Sequence, residues 1–289
     1  MALHKKVFTS ILLINICGCA LAQTGFGVSP TKLFFKQPGG QTETQTITIS
    51  NNTSGNFVLV CSFNDWRRDT TGQKKFAAPG EVFANGISKY LKVVPDQLAL
   101  GAGETKTIDV TLQLPPGDDS VTTAAMLYLV QRNTNTLEQV DKNKVQTNFK
   151  YSLKVNVQVY NEPPQLQNKN IELLDAYLTS VMVYPPQDST KKGKPADTIK
   201  VKQYVLNAVI KNTGDLVTEG QVRFELSNTK TMYEWKAKPV DFNSMPNDRF
   251  VLPQVLPAGI PKGIYTLDTI VDFGSDQALK VAETEIEIL

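Results

Sequence analysis

The side chains best suited to chemistry are scarce in this sequence. Histidine occurs once, at His4, and cysteine three times, at Cys17, Cys19 and Cys61. Ser-His-Asp and Cys-His sites need an imidazole to carry the proton, and the common zinc sites need several His or Cys ligands. His4, Cys17 and Cys19 all lie in a segment with the three-part form of a secretory signal. Lys5 and Lys6 supply its positive start, Val7 to Cys19 its apolar run, and Ala20-Leu21-Ala22 the small residues favoured at a cleavage site. Cleavage after Ala22 leaves no imidazole and a single thiol, so an intramolecular disulfide is excluded.

The carboxylates are numerous but unpaired in pattern. Asp118-Asp119 follows Pro115-Pro116-Gly117 and reads as a solvated turn, while Glu283, Glu285 and Glu287 alternate with Thr284, Ile286 and Ile288 as the outer face of a strand. Neither arrangement sets two carboxylates across a sugar-binding cleft. Gly25-Phe26-Gly27 and Gly101-Ala102-Gly103 lack the downstream lysine-hydroxyl pair of a phosphate loop and read as turns. Cys61, between Val60 and Phe63, reads as a small buried hydrophobe. The expectation is a non-enzyme with no cofactor and no metal. Loss of Lys5 and Lys6 takes Lys+Arg from 30 to 28, against 28 acidic residues. A neutral chain lacks the basic excess that phosphate neutralisation demands, so no nucleic-acid partner is expected.

The apolar run of the signal is short for a membrane span, so no membrane insertion is expected after cleavage. A lipoprotein cut before Cys19 is the alternative, with Ile16-Cys17-Gly18 a poor lead-in for it. The expected location is the periplasm. The rest of the chain has the texture of β-structure. Thr46 to Ser50 alternates polar and apolar and is followed by a turn cluster, Asn51 to Asn56. Strands are expected over 57–63, 90–94, 98–100, 105–114 and 124–130, the last an apolar run of core-strand length. Further strands are expected over 204–210, 221–226, 250–256, 264–273 and 281–289. No long stretch holds a 3.6-residue apolar period.

The segment 145–160 carries the strongest pattern. Val145, Thr147, Phe149, Tyr151, Leu153, Val155, Val157 and Val159 share one face, and polar residues fill the other. At ~3.3 Å per residue such a strand reaches about 50 Å, against ~17–20 Å for ordinary strands. One small sandwich cannot cover all of it, so part of the apolar face is left for a partner. Asn161-Glu162-Pro163-Pro164 then stops the strand with two residues lacking backbone donors. The expected organisation is a signal peptide over 1–22, an immunoglobulin-like domain over 23–161, a Pro-containing linker over 162–165 and a second immunoglobulin-like β-sandwich over 166–289, all-β in class.

The first domain resembles the PapD-like periplasmic pilus and fimbrial assembly chaperones. The resemblance rests on Val28-Ser29-Pro30-Thr31-Lys32-Leu33-Phe34-Phe35, on Ile47 to Asn51 with Phe57 to Val60, on Leu91 to Pro95 with Leu98 to Thr105, on Ala125 to Leu129, and on the long strand ending Tyr160-Asn161-Glu162-Pro163. It implies donor-strand complementation, in which the chaperone lends a strand to an incomplete Ig-like fimbrial or surface subunit. Phe149, Tyr151, Leu153 and Val155 are then the subunit-binding residues, and an outer-membrane usher is a possible second partner. Lys32 stands at the family's first carboxylate-anchoring position, with lysine in place of arginine. No lysine stands at the second, and Lys154 upstream is the candidate substitute. The alternative is a non-catalytic two-domain envelope protein that binds a cell-surface partner or cell-wall polymer.

Overall fold

The computed structural model describes residues 25–117, 119–132, 152–184, 200–274 and 276–289. The first unit comprises β1 (Phe26–Ser29), β2 (Lys32–Phe35), β3 (Thr42–Asn51), β4 (Phe57–Asn64), β5 (Trp66–Arg68), β6 (Lys74–Phe76), β7 (Leu91–Val94), β8 (Gln97–Leu100), β9 (Thr105–Gln113), β10 (Thr123–Arg132) and β11 (Lys154–Asn161). Two sheets, ordered β1-β3-β9-β7 and β2-β11-β10-β4-β8, face one another, and β5-β6 forms a separate ribbon. The alternation in the sequence explains the packing. Ile47, Ile49, Ile108, Val110 and Leu112 point inward from one sheet, and Leu59, Leu127, Leu129, Val157 and Val159 from the other.

The opening stretch Val28 to Phe35 forms two strands in different sheets. β1 pairs antiparallel with β3, and β2 pairs parallel with β11. Pro30 lies at the break, where its missing N–H costs no ladder bond.

The second unit comprises β12 (Ile171–Val183), β13 (Val201–Asn212), β14 (Thr218–Asn228), β15 (Tyr233–Lys236), β16 (Val240–Ser244), β17 (Arg249–Val255), β18 (Gly263–Asp272) and β19 (Lys280–Ile288). Its sheets run β12-β13-β17 and β15-β14-β18-β19, with β16 also on β14. Leu206, Ile210, Phe224, Leu267 and Val271 are fully buried between them. The protein is thus two β-sandwiches in tandem, as its alternation and turn clusters predict.

A third apolar cluster joins the sandwiches. Ala124, Met126 and Tyr128 project from the face of β10 opposite its core residues, and they pack with Trp66 and Tyr160 against Val217 and Met245 of the second unit. β10 is therefore buried on both faces, the physical reason for its unbroken apolar sequence.

Candidate functional site

Two features could serve capture of a strand. The first is an edge. Gln131 N–H donates to Leu153 O at 2.8 Å, so odd-numbered residues here turn their backbone groups toward β10. Even-numbered residues turn theirs outward, because backbone polarity alternates along a strand. Gln158 N–H accordingly donates outward to Thr31 O at 3.1 Å. β2 covers only Gln158 to Asn161, and among the described residues no strand pairs the outer edge of Lys154 and Asn156. Their amides and carbonyls form a short open edge in an otherwise paired strand.

The expected binding residues fall unevenly about this edge. Phe149 and Tyr151 lie outside the described residues, as does most of the expected long strand; within the described residues the strand starts at Lys154. Leu153 is 36% exposed just before it. Val155 is half-buried and packs against the core of its own sandwich. Its side chain is thus already engaged at the rim.

The second feature is a 590 Å³ cleft between the sandwiches, lined by Lys32, Gln158, Glu219, Gln221, Asp241 and Asn243. The parallel register sets Lys32 beside Gln158, and Tyr160 Oη bonds Gln158 Oε1 at 2.5 Å. Glu219 reaches across from β14 to form an ion pair with Lys32 and accepts a bond from Asn243 Nδ2 at 2.9 Å. Gly220 follows because no side chain fits: a Cβ there would stand 2.3 Å from Asp272 O and 2.7 Å from the Phe242 ring. Lys154 is not in this cleft. It lies four residues up the strand from Gln158, about 13 Å away, with its Nζ 3.3 Å from the centre of the Tyr128 ring. The structure does not bring Lys32 and Lys154 together.

The β5-β6 ribbon supplies cationic groups that sequence reasoning passed over. Lys74 Nζ stands 5.0 Å from the Trp66 ring. Burial first, then the Arg68 and Lys32 cations, hold the Lys74 pKa below its ordinary value. Arg68 braces the two units. It donates to Gly72 O at 2.6 Å and Asn243 Oδ1 at 3.2 Å, and it lies over the Trp66 and Phe250 rings. Its Nε is 3.6 Å from Asp248 Oδ2, an ion pair too long to count as a hydrogen bond. The signal available in sequence was an aromatic-cationic run, Trp66-Arg67-Arg68, closed by an Asp69…Gly72 turn into Lys74-Lys75.

Burial dominates the electrostatics of that brace. It pushes Asp248 up to about 6, a rise that the Met245 amide and Arg68 only partly oppose, and it pushes Arg68 down. A carboxyl whose folded pKa lies above its unfolded value binds more protons when folded. Stability therefore rises as pH falls from about 6 toward about 4, and the contribution is of order 2–3 kcal/mol for a side chain this buried. Asp69 and Glu104, held below their ordinary values chiefly by hydrogen bonds from Thr71 and Gly101 respectively, act in the opposite sense at lower pH. The difference between wild type and Asp248→Asn in urea unfolding across pH 4–7 isolates the term. The wild type should gain on the variant as pH falls through that window; a constant difference would mean that Asp248 is solvated in solution.

Among the described residues no group of three or more His, Cys, Asp or Glu is placed to hold a metal. Cys61 is buried, and burial, with Asp96 second, pushes its thiol up to about 11.

No family model matches the chain, and no curated protein does. Solved structures similar to it include the class 5 fimbriae chaperone CfaA, at 13% identity and a TM-score of 0.43, covering 92% of this chain and 100% of that one. The CsuC-CsuE chaperone-tip adhesion subunit complex of Acinetobacter baumannii is similar at 10% identity and a TM-score of 0.47, covering 89% and 97%. The E. coli chaperone DraB is similar at 11% and 0.43, covering 92% and 96%. At such values no residue role passes from those proteins to this chain.

Proposed function

We propose that this protein is a periplasmic chaperone that captures an incomplete Ig-like fimbrial or surface subunit by strand addition. The observation that carries the reading is the open edge at Lys154 and Asn156, continuous with a paired strand and preceded in sequence by the alternating residues Phe149, Tyr151 and Leu153. Main-chain groups on such an edge give affinity, and alternate apolar side chains give specificity. Lys32 is the cation available to a subunit carboxylate at the cleft, where an incoming anion would compete with Glu219. An outer-membrane usher would be the acceptor to which a captured subunit is passed.

The test is a pull-down of the tagged protein from the periplasm of its own host, with bound chains identified by mass spectrometry. Recovery of a small β-rich subunit in a one-to-one complex, displaced by a donor-strand peptide, is the expected result. Recovery of the protein alone, or with wall material that no strand peptide displaces, would sink the reading in favour of a static envelope module.

A further inference from the structure

The far ends of β12 and β13 run on past their own sandwich. Leu178 and Tyr204 are the last side chains of the two strands packed on the second core. Pairing nevertheless continues through Val181↔Gln203, Met182↔Lys202 and Val183↔Val201, while β17 stops opposite Val205. Among the described residues no sheet lies against this end, and a two-stranded ribbon so placed has little to bury and ordinarily carries polar side chains. This one exposes Val181, Met182, Tyr184 and Val201 by 46, 59, 61 and 45%. By the two-residue period, Val181, Val183 and Val201 share one face, and Met182, Tyr184 and Tyr204 the other. The ribbon end is apolar on both sides.

Among the described residues of the ribbon the charge is of one sign: 176–184 and 200–212 contain no Asp or Glu, whereas Lys200 and Lys202 stand 5.2 and 4.7 Å from the centres of the Tyr184 and Tyr204 rings. A second copy of the chain seated here would bring lysine against lysine, which disfavours self-association. Apolar tips, tyrosines and lysines without acids match the interface of an anionic bilayer. There aromatic rings sit at headgroup depth, and lysine stems lie along apolar surface with their charges among phosphates.

We propose that the distal β12–β13 ribbon docks the protein peripherally on an anionic phospholipid bilayer. Co-sedimentation of the purified protein with phosphatidylglycerol-containing vesicles, beside pure phosphatidylcholine vesicles, tests it. Binding to the anionic vesicles alone, weakened by added salt, is expected. The pair Lys200→Glu and Lys202→Glu should weaken it by about thirtyfold or more, and Met182→Ser with Tyr184→Ser by about tenfold or more. These side chains lie outside the core, so thermal unfolding of both variants should match wild type and separate a docking effect from a folding one. Three results would overturn the proposal: no binding to either vesicle, equal binding to both that ignores the lysine changes, or concentration-dependent self-association removed by Met182→Ser.

Discussion

Asn156→Pro should abolish capture of a strand-lacking subunit while leaving the protein folded. Asn156 turns its backbone donor to the open edge, so its loss removes no bond to β10. Proline is tolerated on an edge strand whose N–H faces outward, and Val155 before it is already in the extended conformation that proline favours. The expected stability change is within about 1 kcal/mol, since only the φ restriction acts at home. Toward an added strand the effect is much larger. One intermolecular bond is lost, the facing carbonyl is left unpaired, and the ring intrudes on the approaching backbone. Together these should weaken capture by about 100-fold. Val155→Pro is the control, because it breaks a bond to β10 and should cost about 3 kcal/mol of stability. Unchanged capture by a folded Asn156→Pro protein would place the binding surface elsewhere.

Tyr160→Ala should be the most destabilising single change at the junction of the two sandwiches. The ring is fully buried, stacked on Phe34 at 5.1 Å and edge-on to Trp66 at 6.3 Å, with Val217 and Met245 of the second unit in the same cluster. Truncating so large a buried ring costs about 3–5 kcal/mol. Tyr160→Phe keeps the packing and loses the hydroxyl's bond to Gln158 and its longer contact, at 3.4 Å, with Asn243 Oδ1, together worth about 1 kcal/mol. Urea unfolding of both variants checks the ratio. If Tyr160→Ala cost less than Tyr160→Phe or matched it, the cluster would not be closed in solution. A further reading of the same experiment is a second transition in Tyr160→Ala, as two sandwiches that no longer share a cluster unfold separately.

Much of the architecture is written locally. Strands β3 and β9 alternate with little interruption because one face of each meets a core and the other meets water. The unbroken run in β10 marks a strand covered on both faces, although the sequence does not say that its second cover comes from the other sandwich. The one-faced pattern over 145–160 falls mostly outside the described residues, and the open groups at Lys154 and Asn156 are set instead by where β2 begins to pair, which no local pattern records.

Other features follow from contacts that no local pattern records. β12 escapes a period-two reading because its register shifts between Leu173 and Asp175, and a bulge resets which residues face the core. The β5–β6 ribbon is too short and too charged to declare itself; its place is set by Arg68 against Asn243, Asp248 and Phe250 across the junction. Lys32 reads in sequence as a free cation, yet Glu219, 187 positions away, stands against it.

The sequence by itself determined an all-β chain of two sandwiches, poor in the histidine and cysteine that common active sites use, because composition and alternation are local properties of the residues. Only the tertiary structure decided which backbone groups stay unpaired and which charges are already answered, because those depend on what the rest of the chain brings alongside.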